Sequence, residues 1–270
     1  SQNLRLHNDL HRAISRDELR AYFQPQIAAI DGRVVGFEAL IRWHHPDMGL
    51  LSPLRFVPLA EDNGQVVSIG AWILKEACKQ AQRWRSLCPP GTAAPRVAVN
   101  LSARQFSDPQ LINHIQDALE DSGLLPQMLE LEITESTAMA DLAGTMDLLT
   151  RFKSMGVMLA IDDFGTGYSS LAYLKRFPLD VLKIDQSFVR QICAEKEDQA
   201  ISAAVITLAH SLGLKVVGEG VETQEQHDLL RSMGCDMMQG YLHAKPLAAD
   251  EVEAWLQNHY RSLNAIVDKL

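Results

Sequence analysis

Short apolar runs recur along this chain with helical patterns between them, and that rhythm limits the fold more than any single motif does. Strands are predicted at residues 21–27, 34–41, 96–100, 129–134, 157–161, 181–184 and 215–218, with a weaker one at 236–239. Only a short turn at Asp31-Gly32 separates the first two. That is hairpin length, whereas a parallel crossover needs about a dozen residues. The first strand is therefore expected to run antiparallel to the second. From the second strand onward, 3.6-residue apolar periodicity predicts helices at 53–61, 66–85, 107–122, from about 135 to 155, 169–176, 197–212, 223–233 and 248–260. Pro89-Pro90-Gly91, Gly213 and Gly234 close three of them, and Ser107 or Asp108 is expected to cap the one that opens at Pro109. Eight strands with helices between them predict an α/β fold, a modified (β/α)8 barrel of the TIM type with an antiparallel first strand.

The length suits that reading, since 270 residues are used up by one barrel of roughly 250. No composition break marks a second domain. Residues 1–20 read as a connector, with a polar amphipathic helix over 4–20; the barrel is expected over 21–260 and a short tail over 261–270. A net charge of -9 argues against a surface for duplex nucleic acid, which needs clustered Lys and Arg. Cys78, Cys88, Cys193 and Cys235 show no paired spacing and read as free thiols of a cytoplasmic protein. No apolar stretch approaches the ~20 residues of a membrane span. The chain opens on Ser1 without a Met, so it is expected to be part of a longer protein.

Polar side chains fall where a barrel carries its chemistry, at the C-terminal ends of the strands. In order they are Gln24, Glu38, Asn100, Glu132, the pair Asp162-Asp163, Lys183, Glu219 and Gln239. Singly each has a bland account: Glu38 pairing with Arg42, Asn100 closing a loop, Glu219 opening a helix. Jointly those accounts must hold at every corresponding barrel position, and buried carboxylates without partners are costly. Bound cations explain the ring better. Carboxylates and side-chain amides, with no His or Cys among them, are hard oxygen donors that suit Mg²⁺ or Mn²⁺ over Zn²⁺. Adjacent Asp162 and Asp163 could each reach a different ion, and a two-ion site clamps a phosphate and activates a water. Lys183 beside them would orient that water or balance charge, which points to phosphate-ester hydrolysis. Alternation puts Glu130 and Glu132 on one face, so sequence leaves open which of them reaches the centre. Asp163-Phe164-Gly165 matches a kinase triplet, but the other kinase motifs are missing. His44, His45 and His243 lack paired ligand spacing and read as loop or rim groups.

The stretch Phe37-Glu38-Ala39-Leu40-Ile41-Arg42-Trp43 resembles the signature of the EAL domain family, bacterial phosphodiesterases specific for cyclic di-GMP. The resemblance continues through Asn100-Leu101-Ser102, Glu132-Ile133-Thr134-Glu135, Asp162-Asp163-Phe164-Gly165-Thr166-Gly167, Lys183-Ile184-Asp185, Gly218-Glu219-Gly220-Val221-Glu222 and Gln239-Gly240-Tyr241. It implies a metal-dependent cut of cyclic di-GMP to linear pGpG. Glu38, Asn100, Glu132 and Asp162 would hold one Mg²⁺ or Mn²⁺ and Asp163 the second, with Ca²⁺ inhibitory. Lys183 would contact the attacking water and Glu219 would be the base or orient that water. Gln239 would orient the second-ion region. Gln24, Leu40, Arg42, Glu222 and Tyr241 would contact the dinucleotide, and Glu135 would shape the loop carrying Gly165 and Gly167. The resemblance also implies a homodimer and an upstream sensory or regulatory domain. The alternative reading is a receptor that binds cyclic di-GMP without cutting it.

Overall fold

The computed structural model describes residues 2–89, 91–167 and 171–267. Within them the barrel strands are β1 (Leu19–Ala28), β2 (Val34–His45), β3 (Arg96–Leu101), β4 (Leu129–Thr134), β5 (Met158–Phe164), β6 (Val181–Ile184), β7 (Lys215–Gly218) and β8 (Met237–Gln239). β2 to β8 run parallel in sequence order, and β1 closes the ring by pairing antiparallel with both β2 and β8. The hairpin expectation holds: Gln24 faces Glu38 across β1 and β2, and Arg20 faces Arg42. Two strands escaped the sequence reading. Gly49–Leu51 extends the sheet beyond β2, and Leu247–Ala248 lies on the outer side of β1. At three and two residues they are too short to show alternation.

Several helix boundaries differ from expectation. The first helix is Gln2–Ala13 and does not continue to residue 20. Asp17 takes a left-handed backbone (φ 53°), which ends helical continuation, and β1 begins at Leu19. The expected cap at Ser107 or Asp108 is displaced. Ser102 instead caps a one-turn helix, Ala103–Phe106, through a reciprocal bond with Gln105, and the longer helix is Leu111–Ser122. The segment after β4 is two helices, Glu135–Ala140 and Leu142–Met155, split at Asp141, which caps the second. A short helix not read from the sequence, Gln186–Arg190, follows β6. The last helix runs from Ala249 to Val267, through most of the expected tail. Pro90, residues 168–170 of the loop and helix expected after β5, and residues 268–270 of the tail lie outside the described residues.

Strand alternation sorts the barrel into layers. Ala160, Val181, Val217 and Met237 pack against one another inside the ring, forming a separate small apolar cluster. Two residues further along each strand come Asp162, Lys183, Glu219 and Gln239 on the same side. The apolar layer thus plugs the bottom, and the polar groups share one level above it. The outward faces, such as Phe37, Leu131, Ile161 and Leu182, bury against the helices in the main core. A second core, built from Leu6, Leu10, Trp43, Phe56 and Ile69, ties the first helix to the far end of β2. No helix among the described residues is long and apolar enough to cross a membrane.

Candidate active site

Lys183 sits at the centre of the polar layer with its side chain fully buried. Its Nζ lies 2.7 Å from Glu132, 2.8 Å from Glu219, 3.4 Å from Glu38 and 3.5 Å from Asp162. Burial alone would lower its pKa, but these carboxylates outweigh it and hold the ammonium well above its ordinary value. Glu132 is pushed well above the carboxylate range by burial and by its acidic neighbours, with Lys183 opposing. Burial likewise raises Glu219. The structure settles the choice between Glu130 and Glu132. Glu132 bonds Lys183, while Glu130 lies one pleat lower beside Arg96 at 3.6 Å.

The adjacent aspartates reach the mouth together because β5 is irregular. Regular alternation would send Asp163 to the helix side. Instead the register shifts between Ile161 and Phe164, and Asp163 takes φ 53°, a conformation that Asp tolerates better than most residues. The strand therefore continues through Phe164, past its expected end at residue 161. Asp163 is half-buried, and its pKa rises to about 6 through burial, the Asp162 charge and a hydrogen bond shared with Asp185. Asp185 belongs to one of the sequence motifs but carries no role in the sequence reading. It lines the mouth and also accepts from the Ser187 N–H at 2.9 Å. Its position just past β6, two residues ahead of a serine, was the available signal for a helix cap at the rim.

Other expected residues fall around this centre. Asn100 donates to Glu38 Oε1 at 2.6 Å, and Gln239 donates to Glu38 Oε2 at 2.5 Å, which sets Gln239 against the carboxylate group of Glu38 rather than the expected second-ion region. Gln24, Leu40, Arg42, Glu222 and Tyr241 line a cleft of about 360 Å³ above the carboxylates. Arg42 lies over the Tyr22 ring at 5.6 Å, and partial burial lowers its pKa. Glu135 stands behind the cleft, 1% exposed, and accepts from the Gly165 N–H at 3.0 Å and the Gly167 N–H at 3.4 Å. Gly165 has φ 98°, and a Cβ at Gly167 would press on the Glu135 carboxyl at 3.3 Å. His44, His45 and His243 stand outside the carboxylate groups: His45 is buried against Asp9, and His243 stacks edge-on with His227.

Among the described residues, two carboxylate groups converge closely enough to hold a cation: Glu38 with Glu132 and Asp162, and Asp162 with Asp163 and Glu219. Asp162 belongs to both. Within each group the oxygens lie within 4.8 Å of one another. Two like charges at that spacing repel by roughly 3–4 kcal/mol at an effective dielectric constant near 20. Five carboxylates against one ammonium give a formal charge of -5 + 1 = -4. Two divalent cations would neutralise it. The buried Glu132 Oε1 has no hydrogen-bond partner among the described residues, as a ligand oxygen awaiting a cation would have. The donor set therefore fits a pair of hard divalent ions.

Comparison with known proteins places this geometry. The sequence pattern of the EAL domain matches residues 7–246. The chain belongs to the EAL domain family. This EAL domain is 44% identical over 253 residues to the bifunctional diguanylate cyclase and cyclic di-GMP phosphodiesterase MucR of Pseudomonas aeruginosa, covering 94% of this chain and 36% of MucR. It spans about a third of the length of the curated relatives it matches. A solved MucR phosphodiesterase in complex with cyclic di-GMP superposes with a TM-score of 0.88 at 44% identity, covering 92% of this chain and 99% of that one. The Klebsiella pneumoniae protein BlrP1, solved with manganese and cyclic di-GMP, gives a TM-score of 0.73 at 32% identity over 86% of this EAL domain and 56% of BlrP1.

Proposed function

We propose that this EAL domain hydrolyses one phosphodiester bond of cyclic di-GMP and releases linear pGpG. The observation that carries the reading is the pair of carboxylate groups sharing Asp162 around a buried Lys183, at the mouth of an EAL barrel. The solved MucR chain adds support. MucR carries two opposing activities, and the part that this chain covers almost completely is its phosphodiesterase.

Glu38, Asn100, Glu132 and Asp162 would hold one Mg²⁺ or Mn²⁺, and Asp163, with Asp162 and Glu219 at hand, the second. When bound, such a pair neutralises the phosphate and makes a bound water acidic enough to attack near neutral pH. The chain's own groups do the rest. Lys183 Nζ orients the attacking water and balances negative charge as the pentavalent phosphate forms. Glu219 receives or steers that water's proton. Arg42 holds a phosphate oxygen, its guanidinium kept in place over Tyr22. Gln24, Leu40, Glu222 and Tyr241 contact the dinucleotide, and Gln239 keeps Glu38 oriented. Glu135 keeps Gly165 and Gly167 in the shape that presents Asp163. The same reading has the domain working in the cytoplasm as a homodimer, downstream of a sensory or regulatory domain; light scattering of the purified protein tests the dimer.

The experiment is chromatographic detection of product from cyclic di-GMP with Mg²⁺, with Mn²⁺, with Ca²⁺ and with chelator. pGpG formed only with Mg²⁺ or Mn²⁺ supports the proposal. Saturable binding of cyclic di-GMP with no product under any metal would replace it with the receptor reading.

A further inference from the structure

Gln26 lies on the inner face of β1, 2% exposed, one pleat below Gln24. The mechanism above does not use it. Its Nε2 donates to Gln239 Oε1 at 3.1 Å. Gln239 Nε2 donates in turn to Glu38 Oε2 at 2.5 Å and to Gln24 Oε1 at 3.1 Å. Gln24 Nε2 ends the chain on the Ala244 carbonyl at 3.1 Å.

The polarity of this chain of amides is set at one end. Both Glu38 oxygens already act as acceptors, Oε1 from Asn100 at 2.6 Å and Oε2 from Lys183 at 3.4 Å, so Gln239 meets Oε2 with its NH2. That turns Gln239 Oε1 toward Gln26, which must then donate. The Gln26 side chain packs over a glycine at position 36, where a Cβ would come within 3.1 Å of Gln26 Oε1. Turning the Gln239 amide over would set its oxygen against the Glu38 carboxylate, two acceptors face to face in a buried site.

We propose that Gln26 is a positioning residue: it locks the Gln239 amide with its NH2 toward Glu38. The Glu38 carboxylate is thereby held between Gln239 on Oε2 and Asn100 on Oε1. Gln26 itself touches neither the substrate cleft nor the carboxylate groups, and acts only through Gln239. The inference rests on the proposed phosphodiesterase role of Glu38.

Four variants test it: Gln26→Met, Gln26→Glu, Gln239→Met, and Gln26→Met combined with Gln239→Met. Three readouts are taken: pGpG formation, thermal midpoint, and the ¹⁵N side-chain amide resonance of Gln239 in metal-free protein, identified by its loss in Gln239→Met. A role in filling space makes Gln26→Glu, nearly isosteric, the milder change. A role in polarity makes it the harsher one, because a carboxylate at 26 faces Gln239 Oε1. We expect kcat/KM to fall about tenfold in Gln26→Met and about a hundredfold in Gln26→Glu. The double variant should stay within about twofold of Gln239→Met alone, since the second change removes nothing further. The Gln239 resonance should shift or broaden in Gln26→Met. Losses that multiply in the double variant, or a Gln239 resonance unmoved by Gln26→Met, would overturn the inference. Should Gln26→Glu fail to fold, the methionine cycle still decides. A wild-type protein that makes no pGpG would instead defeat the phosphodiesterase reading, while the resonance still reports on Gln26.

Discussion

The Lys183→Met substitution removes the ammonium at the centre of the carboxylate layer while keeping most of the side-chain volume. Four carboxylates approach Nζ between 2.7 and 3.5 Å. At an effective dielectric constant near 20 each contact is worth roughly 5–6 kcal/mol of gross attraction. Most of that is offset by desolvating the ions, and the net cost of stripping one partner from a buried cluster is about 3–5 kcal/mol. For a chain of this size that is a fall of about 6–20 °C in thermal midpoint. The loss should depend on pH and on metal. Glu132 and Glu219 already have folded pKa values raised above those of the unfolded chain, chiefly by burial. Raised carboxylates destabilise the fold above about pH 4.5, where the unfolded chain ionises freely, and cease to do so as the pH falls toward that range. The variant's deficit should therefore be largest near pH 8 in chelator and shrink near pH 5.

Divalent cations should shrink it too. With the ammonium gone the cluster carries a formal -5, and two divalent ions bring it to -1, close to the neutral wild-type complex. The assay is thermal unfolding by circular dichroism at about pH 8 with chelator, at about pH 5, and at about pH 8 with Mg²⁺. A variant that melts with wild type at about pH 8 in chelator would refute the reasoning. So would a deficit that neither acid nor Mg²⁺ narrows. Turnover should be lost in Lys183→Met even where stability is restored, because a thioether cannot donate a hydrogen bond to orient a water.

Asp163, with a pKa near 6, must lose its proton to bind a cation, so protons compete with metal below that pH. Mn²⁺ affinity by calorimetry should weaken about tenfold between pH 7 and pH 5, and a flat profile would exclude Asp163 as a ligand. Glu135→Leu takes the acceptor from the Gly165 and Gly167 N–H groups. Hydrogen exchange at both amides should speed up, and kcat should fall at least about tenfold, with only a modest drop in thermal midpoint. A Cβ at Gly240 would lie 2.1 Å from the Val221 carbonyl oxygen and 2.3 Å from its nitrogen, backbone atoms that cannot turn aside. Gly240→Ala should therefore cost more than about 4 kcal/mol in chemical denaturation, or yield no folded protein.

What the sequence revealed and what it hid divide along a physical line. Local periodicity is written in consecutive residues, so the eight barrel strands and the antiparallel first hairpin were legible. The rim groups were legible for the same reason: Ala160 to Asp162, Val181 to Lys183 and Val217 to Glu219 are each one pleat apart, apolar below and charged above. Departures from periodicity were not. Asp163 reaches the mouth only because of a left-handed residue inside a strand, and no pattern in residues 157–167 announces where the register slips. The first helix stops at Ala13 because Asp17 turns left-handed and Glu18 bonds back to Ala13, although the apolar spacing runs on to Leu19. Hidden most completely were the relations between distant residues. Glu130 and Glu132 share a face and a charge, and only the height of Lys183 on β6 separates their roles. Gln26 looks like any polar residue of a hairpin strand until β8 is set beside β1. Its partner is 213 residues away, and its hydrogen bond takes its direction from the charge on Glu38. Charge at the centre of a closed barrel therefore fixes the orientation of neutral side chains that never touch it. A survey of rim acids alone leaves that layer out.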